Sequence, residues 1–303
     1  MNRFAWTSAR SLSQALAVAS TTVAEAMSLA ASAKSGTQVA VLKAGGIDLL
    51  DLLKEHLLAP DLIVSLKDVP GLDAIVAEDG GGWRIGAMVT LAQLAKHPIL
   101  RERYAALSDA VSHSASPQIR NVASIGGNLL QRPRCWYFRS AQSQCRKKGG
   151  STCFALLGQN QYHAIFANRA CAIVHPSTAA IALVALGAMV ELTSAEGVVR
   201  RMLLENFFLS PDRDMSREND LRSQEILTAV LLPPLPANMR TIHLRQGEKE
   251  AFDWSLAEVA VALELSHRGL CQRASIILGA VAPVPYRATM AEAALLEIGR
   301  AHV

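Results

Sequence analysis

From about Arg132 to Arg169 the chain shows little of the apolar periodicity by which a segment buries a core of its own. The stretch "RCWYFRSAQSQCRKKGGSTCF", Arg134 to Phe154, instead carries three of the five cysteines found among 303 residues, and Cys171 follows. Cys135, Cys145, Cys153 and Cys171 give the pattern C-x9-C-x7-C-x17-C. Structural zinc sites draw on close C-x2-4-C pairs, because a knuckle turn delivers two sulfurs together, and no such pair exists here. Widely spaced thiolates on an irregular loop suit the separate corners of a four-iron cluster better. Gly149 and Gly150 free the backbone. Arg132, Arg134, Arg139, Arg146, Lys147 and Lys148 supply cations beside a negatively charged thiolate site. Zinc, free thiols in a surface loop and a disulfide stay open as alternatives on spacing alone.

An odd, clustered cysteine set fits metal chemistry in a reducing compartment better than a disulfide framework. Cys271 stands apart, in a predicted strand beside Leu270 and Ala274, and reads as a buried core residue. The length allows about two domains. A net charge of +4, spread along the chain, gives no footprint for nucleic acid. No window approaches the ~18 uninterrupted apolar residues of a membrane span. The N-terminus resembles a signal peptide, but Ser, Thr and Glu25 interrupt its Ala-rich run. Leu16, Val18, Val23, Met27 and Leu29 are spaced for an amphipathic helix instead. The tail "EIGRAHV", Glu297 to Val303, matches an in-frame reading of a common sequencing adaptor, and implies a natural C-terminus beyond this point.

Along the chain, "TQVAVLKAGGIDLLDLLKE" predicts strand, tight turn and helix. "DLIVSLKDV" predicts a strand, and "GWRIGAMVTLAQLAKH" a strand leading into a helix capped near Thr90. "ERYAALSDAVSHSA" predicts a helix ending before Pro117. After the cysteine region come a short strand, a helix from about Ser177, and a strand. "ILTAVLLPPLP" predicts a strand closed by prolines. Beyond about residue 238, two long strands joined at His267-Arg268-Gly269 precede a helix over 290–296. The fold class is therefore α+β, in two tightly packed domains, 1–220 and 221–303.

"KAGGIDLL" and "ASIGGNLLQ" each place paired glycines in a predicted turn between regular elements. Glycine admits positive φ and lets the backbone approach a ligand, and successive N–H groups can cradle a phosphate. Two such loops could hold both phosphates of a dinucleotide. Neither is a G-x-G-x-x-G fingerprint, and no G-x-x-x-x-G-K-[ST] occurs, so a Rossmann or P-loop site has no support. Either pair alone is more often a plain turn.

Together these segments resemble the FAD-binding medium subunit (subunit M) of the molybdenum hydroxylases, the xanthine dehydrogenase and carbon monoxide dehydrogenase superfamily. "KAGGIDLLD" is similar to that family's first flavin loop, A-G-G-T-[DN]-L, and "NVASIGGNLLQ" to its second, [ST]-[IV]-G-G-N. "HPSTAAIALVAL" resembles its H-P-S-D segment, and "ASIILGAVAPVPYRA" its C-terminal G-[GA]-V-A-x-x-P-x-R signature. The cysteine segment resembles an insert at about 132–172 in members carrying an extra [4Fe-4S] cluster, of the aldehyde oxidoreductase and 4-hydroxybenzoyl-CoA reductase types.

The resemblance implies a PCMH-type FAD-binding domain, a smaller CO dehydrogenase flavoprotein C-terminal-like domain, incomplete at its end, and two cofactors, FAD and a [4Fe-4S] cluster. It implies an electron-transfer subunit partnered by a molybdenum-cofactor large subunit and a [2Fe-2S] small subunit. Cytoplasmic location is expected, or periplasmic if exported with a signal-bearing partner. Carried over by position, Lys43, Ala44, Gly45, Gly46, Ile47, Asp48 and Leu49 would meet the FAD pyrophosphate. Ser124, Gly127 and Asn128 would serve from the second loop, with Thr178 beside the ribityl chain. The four cysteines Cys135, Cys145, Cys153 and Cys171 would hold the cluster. Two positions depart from the pattern: Ile47 replaces Thr, and Thr178 replaces Asp. His175 reads as shaping the chain, His163 as packed rather than ligating, and Trp136 and Tyr137 as shielding the site. The run Arg146 to Lys148 reads as a solvated loop, with docking of an acidic partner as the alternative. No nucleophile–base pair or paired carboxylates stand out. Other readings are a zinc-stabilised nucleotide-binding protein and a stand-alone flavoenzyme of the same fold.

Overall fold

The structure, a computed structural model, describes residues 1–19, 21–31, 38–249 and 252–298. Its first layer begins with β1 (Ala5–Ser8), α1 (Leu12–Val18), α2 (Val23–Ala31), β2 (Ala40–Lys43), α3 (Ile47–Lys54) and β3 (Leu62–Ser65). The strands form a parallel sheet in the order β1-β3-β2. Leu49, Leu52 and Leu53 bury one face of α3, while Asp48 and Lys54 lie at the ends that the helix dipole favours. The single helix expected at the N-terminus is thus a strand followed by two short helices.

Next come β4 (Ile75–Ala77), β5 (Trp83–Gly86), α4 (Leu91–Lys96), α5 (Pro98–Arg103), α6 (Ala105–Ser112), α7 (Pro117–Arg120), α8 (Ile125–Leu129) and α9 (Trp136–Arg139). They are followed by α10 (Thr178–Ala185), β6 (Met189–Ser194), β7 (Val199–Leu203), α11 (Leu204–Phe207) and β8 (Glu225–Leu232). The five strands pair antiparallel in the order β4-β5-β8-β6-β7. Thr90 caps α4 in a reciprocal capping box with Gln93, as its Thr-x-x-Gln spacing predicts. Ala179 to Ala185 of α10 are buried without exception, so this helix is apolar all round and lies within the core.

The last layer is β9 (Met239–Gln246), β10 (Ala257–Leu265), β11 (Cys271–Gly279), β12 (Tyr286–Arg287) and α12 (Thr289–Ile298), with an antiparallel sheet ordered β12-β11-β10-β9. Strands and helices interleave through β8, so the first part is mixed α/β; only this last part runs strands then helix. The sheets change between Leu232 and Met239, because β8 lies between β5 and β6, downstream of residue 220. Of the tail, Glu297 and Ile298 continue α12, and the rest lies outside the described residues. Among the described residues no helix is long and apolar enough to cross a membrane.

Candidate functional site

A cavity of about 710 Å³, within the range of small-molecule and cofactor sites, opens where the first two sheets meet the segment leading into β10. Lys43 to Leu49, Ser124, Gly127, Asn128 and Thr178 all line it. Residues 135 positions apart in sequence thus share one wall system.

Gly46 sits at the N-cap of α3 with φ of 87° and offers no side-chain cap. Helix geometry leaves the N–H groups of Ile47, Asp48 and Leu49 without intrahelical acceptors, so this end can receive an anion. A Cβ on Gly45 would run into the carbonyl oxygen of Val122, and Gly127 faces Ala44. The two glycine segments therefore pack on each other directly. Lys43 is cationic at the rim, its Nζ 3.2 Å from the Ala44 carbonyl and 5.3 Å from the Trp6 ring.

The second glycine pair is not the turn that was expected. Gly126 and Gly127 lie inside α8, whose N-cap Ser124 accepts the Gly127 N–H at 3.2 Å. The N–H of Ile125 goes to Val89 and that of Gly126 to Ala87, both at 2.9 Å. This segment offers small profile and the side chains of Ser124 and Asn128, rather than a row of unpaired donors. Asn128 Oδ1 accepts from Ser177 Oγ at 2.6 Å, and Ser177 also caps α10. Thr178, where a carboxylate was expected, donates its hydroxyl to Glu258 Oε1 at 3.0 Å. Glu258 was missed in sequence. Its signal is the alternation of β10, where Glu258, Ala260 and Ala262 share the buried face. His175 is buried with Nδ1 accepting the Ser177 N–H at 3.3 Å; burial pushes its pKa down to about 4. It shapes the chain ahead of α10.

Asp48 carries a second duty. Its carboxylate accepts the Arg132 N–H at 2.8 Å and Arg139 Nη2 at 2.6 Å, and lies 3.1 Å from Arg134 Nη2. These contacts fasten the cysteine segment to α3. Behind them, Glu218 is buried between Arg132 at 3.0 Å and Lys147 at 2.6 Å. Arg132 and Glu218 line the large cavity; Lys147 does not. The basic run is therefore not a solvated loop. Lys147 is buried, Arg146 binds the Ala170 carbonyl at 3.0 Å, and Lys148 binds that of Ser140.

Lys147 lines a second, small cavity together with Cys135, Cys145, Cys153 and Cys171. All four thiols are free. Burial raises the Cys171 thiol to about 12, against a Ile173 N–H and the Lys147 charge that favour the thiolate. Burial also raises Cys135, opposed by the N–H groups of Phe138 and Tyr137 at the start of α9. His163 Nε2 lies 3.2 Å from Cys135 Sγ, and its ring packs edge-on against Trp136 with centroids 4.7 Å apart. Among the described residues, no three His, Cys, Asp or Glu side chains form a group able to hold a metal ion. Trp136 lines the large cavity while Cys135, Tyr137 and Phe138 line the small one, so α9 is the wall between them. Cys271, expected in the core, is half-exposed at the start of β11.

Residues 2–235 match the family described as the FAD binding domain in molybdopterin dehydrogenase, and residues 242–299 the CO dehydrogenase flavoprotein C-terminal domain. The aldehyde oxidoreductase FAD-binding subunit PaoB of Escherichia coli K12 is 38% identical over 254 residues, covering 83% of this chain and 78% of its own. The nicotinate dehydrogenase FAD-subunit of Eubacterium barkeri is 27% identical over 253 residues, 84% of this chain and 70% of its own. Among solved structures, carbon monoxide dehydrogenase from Hydrogenophaga pseudoflava superposes with a TM-score of 0.70 at 24% identity, covering 99% of this chain and 82% of that one. This likeness shows the fold.

Proposed function

The chain belongs to the family of FAD-binding domains of molybdopterin dehydrogenases, as the medium, FAD-binding subunit of a molybdenum hydroxylase oxidoreductase, and from that premise we propose that it transfers electrons through two cofactors of its own. FAD would occupy the large cavity, and a [4Fe-4S] cluster would be held by Cys135, Cys145, Cys153 and Cys171. The partners in this reading are a molybdenum-cofactor large subunit and a [2Fe-2S] small subunit, with electrons passing between them and an external acceptor or donor. Bound flavin supplies the exchange of one electron with a cluster and two with a hydride carrier.

The observation that carries the reading is the placement of four cysteines around one small cavity, a single short helix away from the cavity lined by both glycine segments. The large cavity fits a flavin, and the four thiols are the soft donors that an iron–sulfur cluster takes. The uncapped N-terminus of α3 and Lys43 would receive the pyrophosphate, with Gly45 and Gly127 keeping the wall thin. Ser124 and Asn128 would bind from α8, and Thr178 from α10. Lys147 places a buried cation beside the sulfurs, which favours an assembly of net negative charge. Trp136, Tyr137 and His163 exclude water from the sulfur side. A lone tetrahedral zinc would draw its sulfurs to about 3.8 Å from one another, given bonds of about 2.3 Å. Four separate iron corners hold their thiolates farther apart, which suits four ligands spread along the chain from Cys135 to Cys171.

The test is the chain expressed anaerobically with its partners, then resolved from them. About four irons and four acid-labile sulfides with one flavin per chain are expected, bleached by dithionite. Cys→Ser at 135, 145, 153 or 171 should lower the iron content, and C271S should not. Zinc in place of iron would overturn the cluster while leaving the flavin subunit intact.

A further inference from the structure

Thr178 lines the large cavity at the first turn of α10, and its hydroxyl proton goes to Glu258 on β10, in the C-terminal sheet. Glu258 is buried, and its other oxygen lies 3.4 Å from His243 Nε2. Burial opposes ionisation of this carboxyl, but hydrogen bonds from His243, Ser255 and Thr178 outweigh it and hold the group below the usual carboxylate range. An ionised carboxylate only accepts. The single Thr178 proton is therefore committed to Glu258, and Oγ1 has only lone pairs left to offer.

Asn128, on the same cavity, has the opposite polarity. Ser177 Oγ accepts the Ala180 N–H at 3.0 Å and so gives its own proton to Asn128 Oδ1 at 2.6 Å. The Asn128 amide N–H2 is left as a donor pair. A committed acceptor and a committed donor thus line one cavity, which is what a chain of hydroxyls needs from its surroundings.

We propose that Glu258 is a positioning residue of the cofactor site, fixing Thr178 as the hydrogen-bond acceptor for a hydroxyl of the bound cofactor's polyol chain. The inference rests on the flavin reading above and extends it to the C-terminal sheet, which supplies the acceptor that takes the Thr178 proton. Threonine at 178 and glutamate at 258 go together, because an aspartate at 178 would face Glu258 with like charge.

The full chain, stripped of flavin, is titrated with FAD by fluorescence quenching, and the melting temperature of each variant is recorded. T178V is expected to weaken binding about tenfold, the worth of one hydrogen bond, and E258L measurably but by no more than that, because it frees the hydroxyl without removing it. T178V/E258L should lose no more than T178V alone rather than about a hundredfold, because E258L acts only through the Thr178 hydroxyl. T178S and E258Q, which keep the hydroxyl and a carbonyl acceptor, should bind like the wild type. Unchanged affinity in E258L, or losses that multiply in the double variant, would overturn the proposal. Should E258L fail to fold, T178D decides: it is expected to bind worse than T178V, and binding equal to T178S would overturn the proposal. A wild-type chain that does not bind FAD sinks the flavin reading and this inference together. A binding wild type with an unaffected E258L sinks this inference alone.

Discussion

Arg139 donates from Nη2 to Asp48 Oδ1 at 2.6 Å, joining the last residue of α9 to the first turn of α3. The same carboxylate accepts the Arg132 N–H and lies beside Arg134. One side chain on the rim of the large cavity therefore anchors the segment that carries the cysteines. The two candidate cofactor sites have a common mechanical support.

D48A should loosen that segment. It leaves the part-buried Arg132 N–H without its acceptor and Arg139 Nη2 with only the Arg132 carbonyl at 3.1 Å, at a cost of about 1.5–3 kcal/mol for charge-assisted bonds. The urea midpoint is expected to fall, and limited proteolysis to cut faster within residues 132–172. An unchanged midpoint with an unchanged cleavage pattern would show that the other contacts of the segment suffice.

The two glycines of the first loop should respond differently to alanine. At Gly45 the new methyl meets the Val122 backbone, which cannot swing away, so G45A separates the two glycine segments at about 1–3 kcal/mol. At Gly46 the methyl meets only the flexible end of Lys43, and the main cost is the left-handed backbone, about 1 kcal/mol. Equilibrium unfolding should rank G45A below G46A. The reverse order would mean that the contact between the loops is yielding.

What was readable in the sequence follows the range of the interactions. The turn and helix after Lys43, the cap at Thr90 and the start of α10 near Ser177 rest on bonds within a few residues, and local pattern shows them. Local pattern reads the second glycine pair as a turn because what holds α8 in place is remote: Ile125 and Gly126 donate to Val89 and Ala87. β1 has only four residues and exists through its parallel partner β3. The basic run looked solvated because Glu218, about 70 residues on, gives no local sign that it neutralises Lys147. At the site, the glycine segments and cysteines were legible as motifs. The carboxylates behind them, Glu218 and Glu258, belong to other elements and needed the fold to be seen.

Glu218 gives an asymmetric pair of variants. E218Q leaves Arg132 and Lys147 buried without their counter-charge, a situation that costs about 3–5 kcal/mol. K147M keeps the Arg132–Glu218 pair and replaces a buried cation with an apolar chain of similar length, so its loss should be well under half of that. Denaturant titration of both variants checks the order. Equal losses would mean that the three charges do not share one interaction.

His175 predicts a pH dependence with a definite sign. Burial holds the ring neutral in the folded chain, with its pKa near 4 against 6.5 in the unfolded one. Because the folded value is depressed, the contribution is fully present above pH 6.5 and is lost as pH falls toward 4. The gap corresponds to about 3 kcal/mol across that window, at about 1.4 kcal/mol per pKa unit. H175N, whose side-chain carbonyl can still accept the Ser177 N–H, has nothing to titrate there. Its stability should be lower than wild type at pH 7.5 by a packing cost, and the difference should shrink as pH is lowered to 4.5. Parallel curves for the two proteins would place the titrating group elsewhere.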